Sequence, residues 1–314
     1  MNSRDQTATG SETPRAENQS NPHSEGVTMN KRPILSTPLA SRRLVLGLMS
    51  GAAATLAGAS RVLAAGEMDE IKKRGLIVAT EDDFRPFEFV KDGQPTGFNN
   101  DLVAILKTSA GFPVKQEILP WTGLLAGVST GKYDCAITAA IVTKERSQSL
   151  DFTSPIADAT HYYVKRKNDK SISAIKDLSG KTCGVQAGSA LLARLPELKA
   201  MIEKAGGQMG KVVEYTSYPE AYQDLALGRT DYVVNTIINI KALVGEKPNV
   251  FEVGQPVSGK SFPAWAVKKG NTELLAFLNA FIAKQKENGT FWTLQKKYFG
   301  EEFRDLPVAW TPEF

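Results

Sequence analysis

Cysteine and histidine are nearly missing from this 314-residue chain, which holds two of each: Cys135, Cys183, His23 and His161. Both cysteines sit inside apolar runs, which argues for small buried hydrophobes rather than a disulfide or redox pair. With no close cluster of His, Cys and carboxylates there is no transition-metal cage, and neither a metal nor another cofactor is expected. Excess charge is missing as well. The formal balance is +4 and part of it belongs to the N-terminal segment, so nothing points to nucleic acid. A long apolar run is also absent: the most hydrophobic stretch, Leu44 to Ser60, is short and rich in Gly, Ala and Ser, which excludes a membrane anchor. What remains, 42% apolar and 23% charged residues, is the make-up of an ordinary soluble globular protein with room for two medium domains.

Residues 1–40 are polar and without a periodic apolar face, and read as disordered, with Met29 as an alternative start. Arg42-Arg43 then precedes a mildly hydrophobic core and a small-residue cleavage site at Val62-Leu63-Ala64, the pattern of a twin-arginine export signal. The expected product starts near Ala65, outside the cytoplasm.

From there strands and helices alternate. Helix Met68–Arg74 precedes strand Leu76–Thr80, and the acidic, Pro-broken segment 81–89 reads as a loop. Helix Gly97–Ala110 and strand Val114–Leu119 follow. The stretch from Trp121 to Pro155 gives a helix over Leu124, Leu125 and Val128, a stop at Gly131, the apolar strand Cys135–Thr138, and Thr143-Lys144-Glu145-Arg146 beyond its end. A guanidinium just past a strand end, near a threonine hydroxyl and free backbone N–H groups, suits a small carboxylate. Read in isolation, Arg146 is better explained as a surface arginine paired with Glu145 or Asp151. A second series runs through strand Thr182–Gln186, one helix over Ser189–Ala205, strand Val212–Tyr215, helix Pro219–Leu227 and strand Asp231–Asn235. Extended runs at His161–Lys165 and Phe262–Val267 and two C-terminal helices complete the chain. Such alternation argues for mostly parallel sheets flanked by helices. Gly131-Lys132-Tyr133-Asp134 and Gly228-Arg229-Thr230-Asp231, each leading from a helix into a strand, suggest two lobes of similar design.

Certain pieces, in order, resemble a known family: Pro86-Phe87-Glu88-Phe89, Gly97-Phe98 with Asp101-Leu102, Trp121-Thr122-Gly123-Leu124, the two Gly-x-x-Asp segments, Thr143 to Arg146 with Asp151-Phe152, and Gly184-Val185-Gln186-Ala187-Gly188-Ser189. The chain from Met68 to about Gly300 is similar to the extracytoplasmic solute-binding proteins of ABC importers, in the family 3 branch that binds polar amino acids. The resemblance implies an α/β type II periplasmic-binding fold, two lobes joined by two hinge strands that close on the ligand. It divides the chain into lobe one at 65–162, lobe two at 163–263 and a return to lobe one at 264–314. It puts the crossings at the two extended runs. It implies no catalysis, a small amino-acid-like ligand, a membrane permease as partner and a monomer.

The resemblance also carries site residues. Arg146 matches the arginine that grips the ligand carboxylate, and Gly188 and Ser189 the helix-opening turn that completes that site. Phe84 and Trp121 match positions that sandwich the ligand, Glu81 an acid that reaches its side chain, and Thr138, Ala139 and Ala140 its floor. Two positions depart. Ile141 stands where the family has Ser or Thr, and Thr236, after Asn235, where it has an acid; both normally hold the ligand's α-ammonium. The expected ligand is therefore a small carboxylate whose nitrogen is substituted, displaced or absent, or is met by Glu81 or Asp82. The competing reading is an exported enzyme on the same fold, such as a cyclohexadienyl-type dehydratase, with Glu81 or His161 as general acid. A receptor's sensor lobe is disfavoured, since no transmembrane or signalling segment follows Phe314.

Overall fold

In the computed structural model the described residues run from 66 to 312. The leader and its twin-arginine segment lie outside them. Among the described residues no helix is long and apolar enough to cross a membrane.

Strand β1 (Leu76–Glu81) follows helix α1 (Glu67–Arg74), and its core-facing side chains are fully buried. The acidic segment after it is not a plain loop: it forms a small hairpin sheet from β2 (Asp83–Phe84), β3 (Glu88–Lys91) and β4 (Gln94–Thr96). Asp92 and Gly93, both at positive φ, make its turn. Helix α2 (Phe98–Ser109), strand β5 (Val114–Leu119), helix α3 (Leu124–Thr130), strand β6 (Cys135–Ile141) and the short β7 (Leu150–Phe152) complete the first series.

The second series opens on β8 (His161–Arg166) and β9 (Cys183–Gln186). The single helix expected over 189–205 is instead α4 (Ala190–Ala193) and α5 (Leu195–Lys204), separated at Arg194. Pro196 explains the break, because it has no N–H to continue the ladder and crowds the carbonyl one turn back. Then come β10 (Val212–Tyr215), α6 (Tyr218–Ala226), β11 (Tyr232–Thr236), α7 (Ile237–Glu246), β12 (Phe251–Pro256), β13 (Pro263–Lys268), α8 (Thr272–Glu287) and α9 (Thr290–Phe299).

Two five-stranded sheets result, ordered β5-β1-β6-β13-β7 and β10-β9-β11-β8-β12. Each is parallel on one side and antiparallel on the other. The Gly-x-x-Asp echo has a physical counterpart. Asp134 accepts a hydrogen bond from the Ile77 amide (2.8 Å), and Asp231 accepts one from the Thr182 amide (2.7 Å). Each aspartate thus ties the entry of its own strand to the start of the neighbouring one, at matching places in the two sheets.

The extended runs at 161–166 and 263–268 are internal strands of the sheets, and the chain changes sheet just before each of them. The connecting segments run alongside one another: the Ile156 amide donates to Pro263 O (2.9 Å), Ala159 to Ser261 O (2.7 Å) and Val257 to His161 O (2.8 Å). These backbone bonds tie the two connections into a narrow two-chain strap between the lobes.

A buried polar chain runs under β6. Trp265 Nε1 donates to Asn99 Oδ1 (2.9 Å), and Asn99 Nδ2 donates to Glu88 Oε2 (2.6 Å). The Thr138 hydroxyl and the Ala139 amide donate to Glu88 Oε1. Trp265→Phe keeps a buried ring but strips Asn99 of its donor, and is expected to cost about 1–3 kcal/mol. Urea unfolding checks this; an unchanged midpoint would mean the network holds nothing.

Candidate ligand-binding cleft

Where β6 ends, the segment Thr143 to Gln148 aims Arg146 at the seam between the lobes. The Thr143 hydroxyl accepts from the Arg146 amide (3.1 Å), and the Thr143 carbonyl accepts from Ser147 Oγ (2.8 Å), so the turn is held from both ends. Nη1 of Arg146 donates to Ile141 O on its own sheet (2.8 Å), and Nη2 to Gly188 O beyond β9 (3.2 Å). Its guanidinium also lies 5.1 Å from the centre of the Trp121 ring, in cation–π contact. Burial lowers its pKa to about 10, against the weaker pull of Glu145 and Glu81. Gly188 supplies the turn at φ +66, a conformation other residues enter only with strain. Ser189 then caps α4, its Oγ accepting from the Leu192 amide (3.1 Å).

Facing Arg146, Glu81 ends β1 and is almost wholly buried. Gln186 Nε2 donates to its Oε1 across the seam (2.8 Å). Burial first, and then the nearby Glu88, push its carboxyl far above the usual range; the Gln186 bond opposes them. Asn239 of α7 makes a third crossing, donating to Arg85 O (2.6 Å). The lobes are therefore closed on each other. Between them Glu81, Phe84, Trp121, Ala139, Ile141 and Arg146 meet Gln186, Ser189, Ala190 and Leu191 around a cavity of about 20 Å³. An outer groove of about 430 Å³ adjoins it at Trp121, Arg146 and Gly188.

Most of the expected ligand residues therefore come together, and four do not. Thr138 and Ala140 lie on the opposite face of β6 from Ala139 and Ile141, since successive strand side chains alternate; Thr138 is bonded to Glu88 instead. Asn235 gives its amide to Tyr222 Oη (2.7 Å), on a neighbouring groove. The Thr236 hydroxyl caps α7 beside Asn239 and does not line the cavity. His161 is buried beside Ser261 with its pKa pushed down to about 3 by burial and by Arg194, so it does not supply a cleft acid. Sequence reasoning missed Gln186, Ala190 and Leu191. The one available signal was Gln186, a polar residue closing an apolar strand.

Two lobes built on one plan, strapped together and closed over a half-buried arginine, define a two-lobed binding protein. The chain belongs to the bacterial extracellular solute-binding proteins, family 3, whose model matches residues 76–301. It is 29% identical over 266 residues to the L-cystine-binding protein TcyJ of Escherichia coli (strain K12), covering 83% of this chain and 96% of that one. Among solved structures, an ancestral arginine-binding protein bound to arginine is similar at a TM-score of 0.64 and 33% identity, over 72% of this chain and 98% of that one. The ancestral amino acid-binding protein AncCDT-1, a precursor of cyclohexadienyl dehydratase, is similar at 0.65 and 30%, over 74% and 99%.

Proposed function

We propose that this protein captures a small carboxylate, an amino acid or a derivative of one, between its lobes and delivers it to the permease of an ABC importer. One observation carries the reading. Arg146 sits at the seam, bonded to a backbone carbonyl from each lobe, with no carboxylate in ion-pair range among the described residues. A planar fork held in this way suits a carboxylate. The acting site would be extracytoplasmic, reached through the twin-arginine route.

A thermal-shift screen of refolded residues 65–314 against amino acids, N-substituted amino acids and amine-free carboxylates tests this. A ligand at a hundred times its Kd adds about 2.7 kcal/mol of stability. If no carboxylate raises the melting temperature, the reading fails.

The finer reading concerns the amine. Ile141 presents an apolar side chain to the cavity, and Thr236 is occupied as a helix cap, so neither supplies an acceptor for an α-ammonium. We read the ligand as one whose nitrogen is substituted, displaced or absent, or is met by Glu81. Ile141→Ser puts a hydroxyl acceptor into the cavity where the apolar side chain now stands. It is expected to shift preference toward free α-amino acids by about three- to tenfold, read by calorimetry on matched ligands with and without the amine. An unchanged ratio sinks the finer reading.

Glu81 also favours a second reading. A carboxyl whose pKa burial raises well above the ordinary value can serve as a general acid, as a dehydratase on this fold would require. Steady product formation from cyclohexadienyl carboxylates, lost in Glu81→Gln, would establish it.

A further inference from the structure

Phe84 is a wall shared by two spaces. On one side is the carboxylate cavity. On the other is a groove of about 410 Å³ that the proposed function does not use. Lobe one supplies Asp83 and Phe84 to this groove, and lobe two supplies Tyr218, Tyr222 and Glu246. Its aromatic side is continuous: Phe84 and Tyr218 have ring centres 5.7 Å apart, and Tyr218 and Tyr222 stack at 5.7 Å and 30°. Phe84 is 6% exposed and stacked on Phe87 at 5.8 Å, which keeps the partition in place.

The charge in the groove is unevenly distributed. Asp83 Oδ1 pairs with Arg85 Nε at 3.0 Å and has no other polar partner among the described residues. The Arg85 guanidinium sits 4.1 Å over the Phe89 ring, drawn to that side. Burial holds the Asp83 carboxyl above its ordinary range; Arg85 opposes this, while Asp82 and Glu246 add to it. Lys247 is an exposed rim cation. Two further acids, Asp82 behind it and Glu246 at the exposed rim beside Lys247, thus add to the half-buried carboxylate of Asp83, which one sideways arginine faces, next to a three-ring aromatic wall.

We propose that this groove is a second binding site, separate from the carboxylate cavity, for a small organic cation of the alkylammonium or alkylguanidinium class. The rings offer cation–π contact, and the acids, one from each lobe, offer charge. Because Asp83 and Glu246 come from different lobes, the site exists only when the lobes are closed. By linkage its occupant favours the closed form and tightens whatever the other cavity holds.

The test titrates butylguanidinium and its neutral isostere butylurea into the mature protein, followed by calorimetry and NMR. Butylguanidinium is expected to bind at least tenfold tighter than butylurea. Asp83→Asn should weaken it about ten- to a hundredfold, and Glu246→Gln, at the exposed rim, about two- to fivefold. Arg146→Ala and Glu81→Gln each disturb one bond across the seam and no group of the groove, and should weaken it no more than about two- to threefold. Equal binding of butylurea, or loss of binding in Glu81→Gln, overturns the proposal, the latter by placing the cation in the other cavity. Neither outcome touches the carboxylate reading, which no reagent here probes.

Discussion

Arg146→Ala should abolish high-affinity carboxylate binding while leaving the free protein about as stable as before. In the bound state the guanidinium would face an anion enclosed between two lobes, and truncating one member of such a pair costs about 2–5 kcal/mol, from one to more than three decades of affinity. In the free state Arg146 holds no carboxylate. Its bonds to Ile141 O and Gly188 O lie at a seam that water can enter when the lobes part, and its own burial is unfavourable, as its lowered pKa indicates. Melting should therefore change little. Arg146→Lys keeps the charge but loses the planar fork and its contact with Trp121, and should fall between the two. Calorimetry with the best carboxylate from the screen decides it; a loss below threefold would move the anion site elsewhere.

Glu88 governs the second large effect, on pH. Its carboxyl is pushed from 4.5 to about 7 by burial, against the Thr138, Asn99 and Ala139 bonds. A folded pKa above the unfolded one means that between these values the native state holds a proton the unfolded state has released. Stability from this group is then fully present below about pH 4.5, falls as pH rises, and levels off above about 7. The total is on the order of 3 kcal/mol. Glu81, shifted in the same direction, adds to the slope. Glu88→Gln should remove its part of the slope but lower stability in acid, because whichever way the new amide turns, its N–H₂ faces a donor, Asn99 Nδ2 on one side or the Ala139 amide on the other. Urea midpoints at four pH values between 5 and 8 check this. A wild-type midpoint that rises across that range would contradict the burial of an acid here.

Much of this architecture was legible because it follows periodicity. The apolar runs at 76–81 and 135–141 and the helical spacing in α2 and α8 reflect burial directly. What stayed hidden depended on parity and on tertiary partners. Sequence places Thr138, Ala139, Ala140 and Ile141 on one strand, but only the neighbours of that strand decide which alternate pair faces the cleft. Glu88 read as part of an acidic loop because Asn99, Thr138 and Trp265, which make it a buried hub, lie far off in the chain. Helix α7 was missed because it follows β11 with no Gly or Pro between them; the change of structure rests on a single cap, Thr236. Arg146 and Trp121 were found by motif order, not by any local property of their own.

Each five-stranded sheet carries one buried cysteine, Cys135 in the first and Cys183 in the second, and burial pushes both thiols well above their usual pKa. A thiol in that state reacts only when its surroundings open. The molecule therefore has one chemical clock per lobe. With Cys135→Ala or Cys183→Ala, the labelling rate of the remaining thiol would time the opening of a single sheet, and whether a ligand slows one clock or both would tell on which lobe it first takes hold.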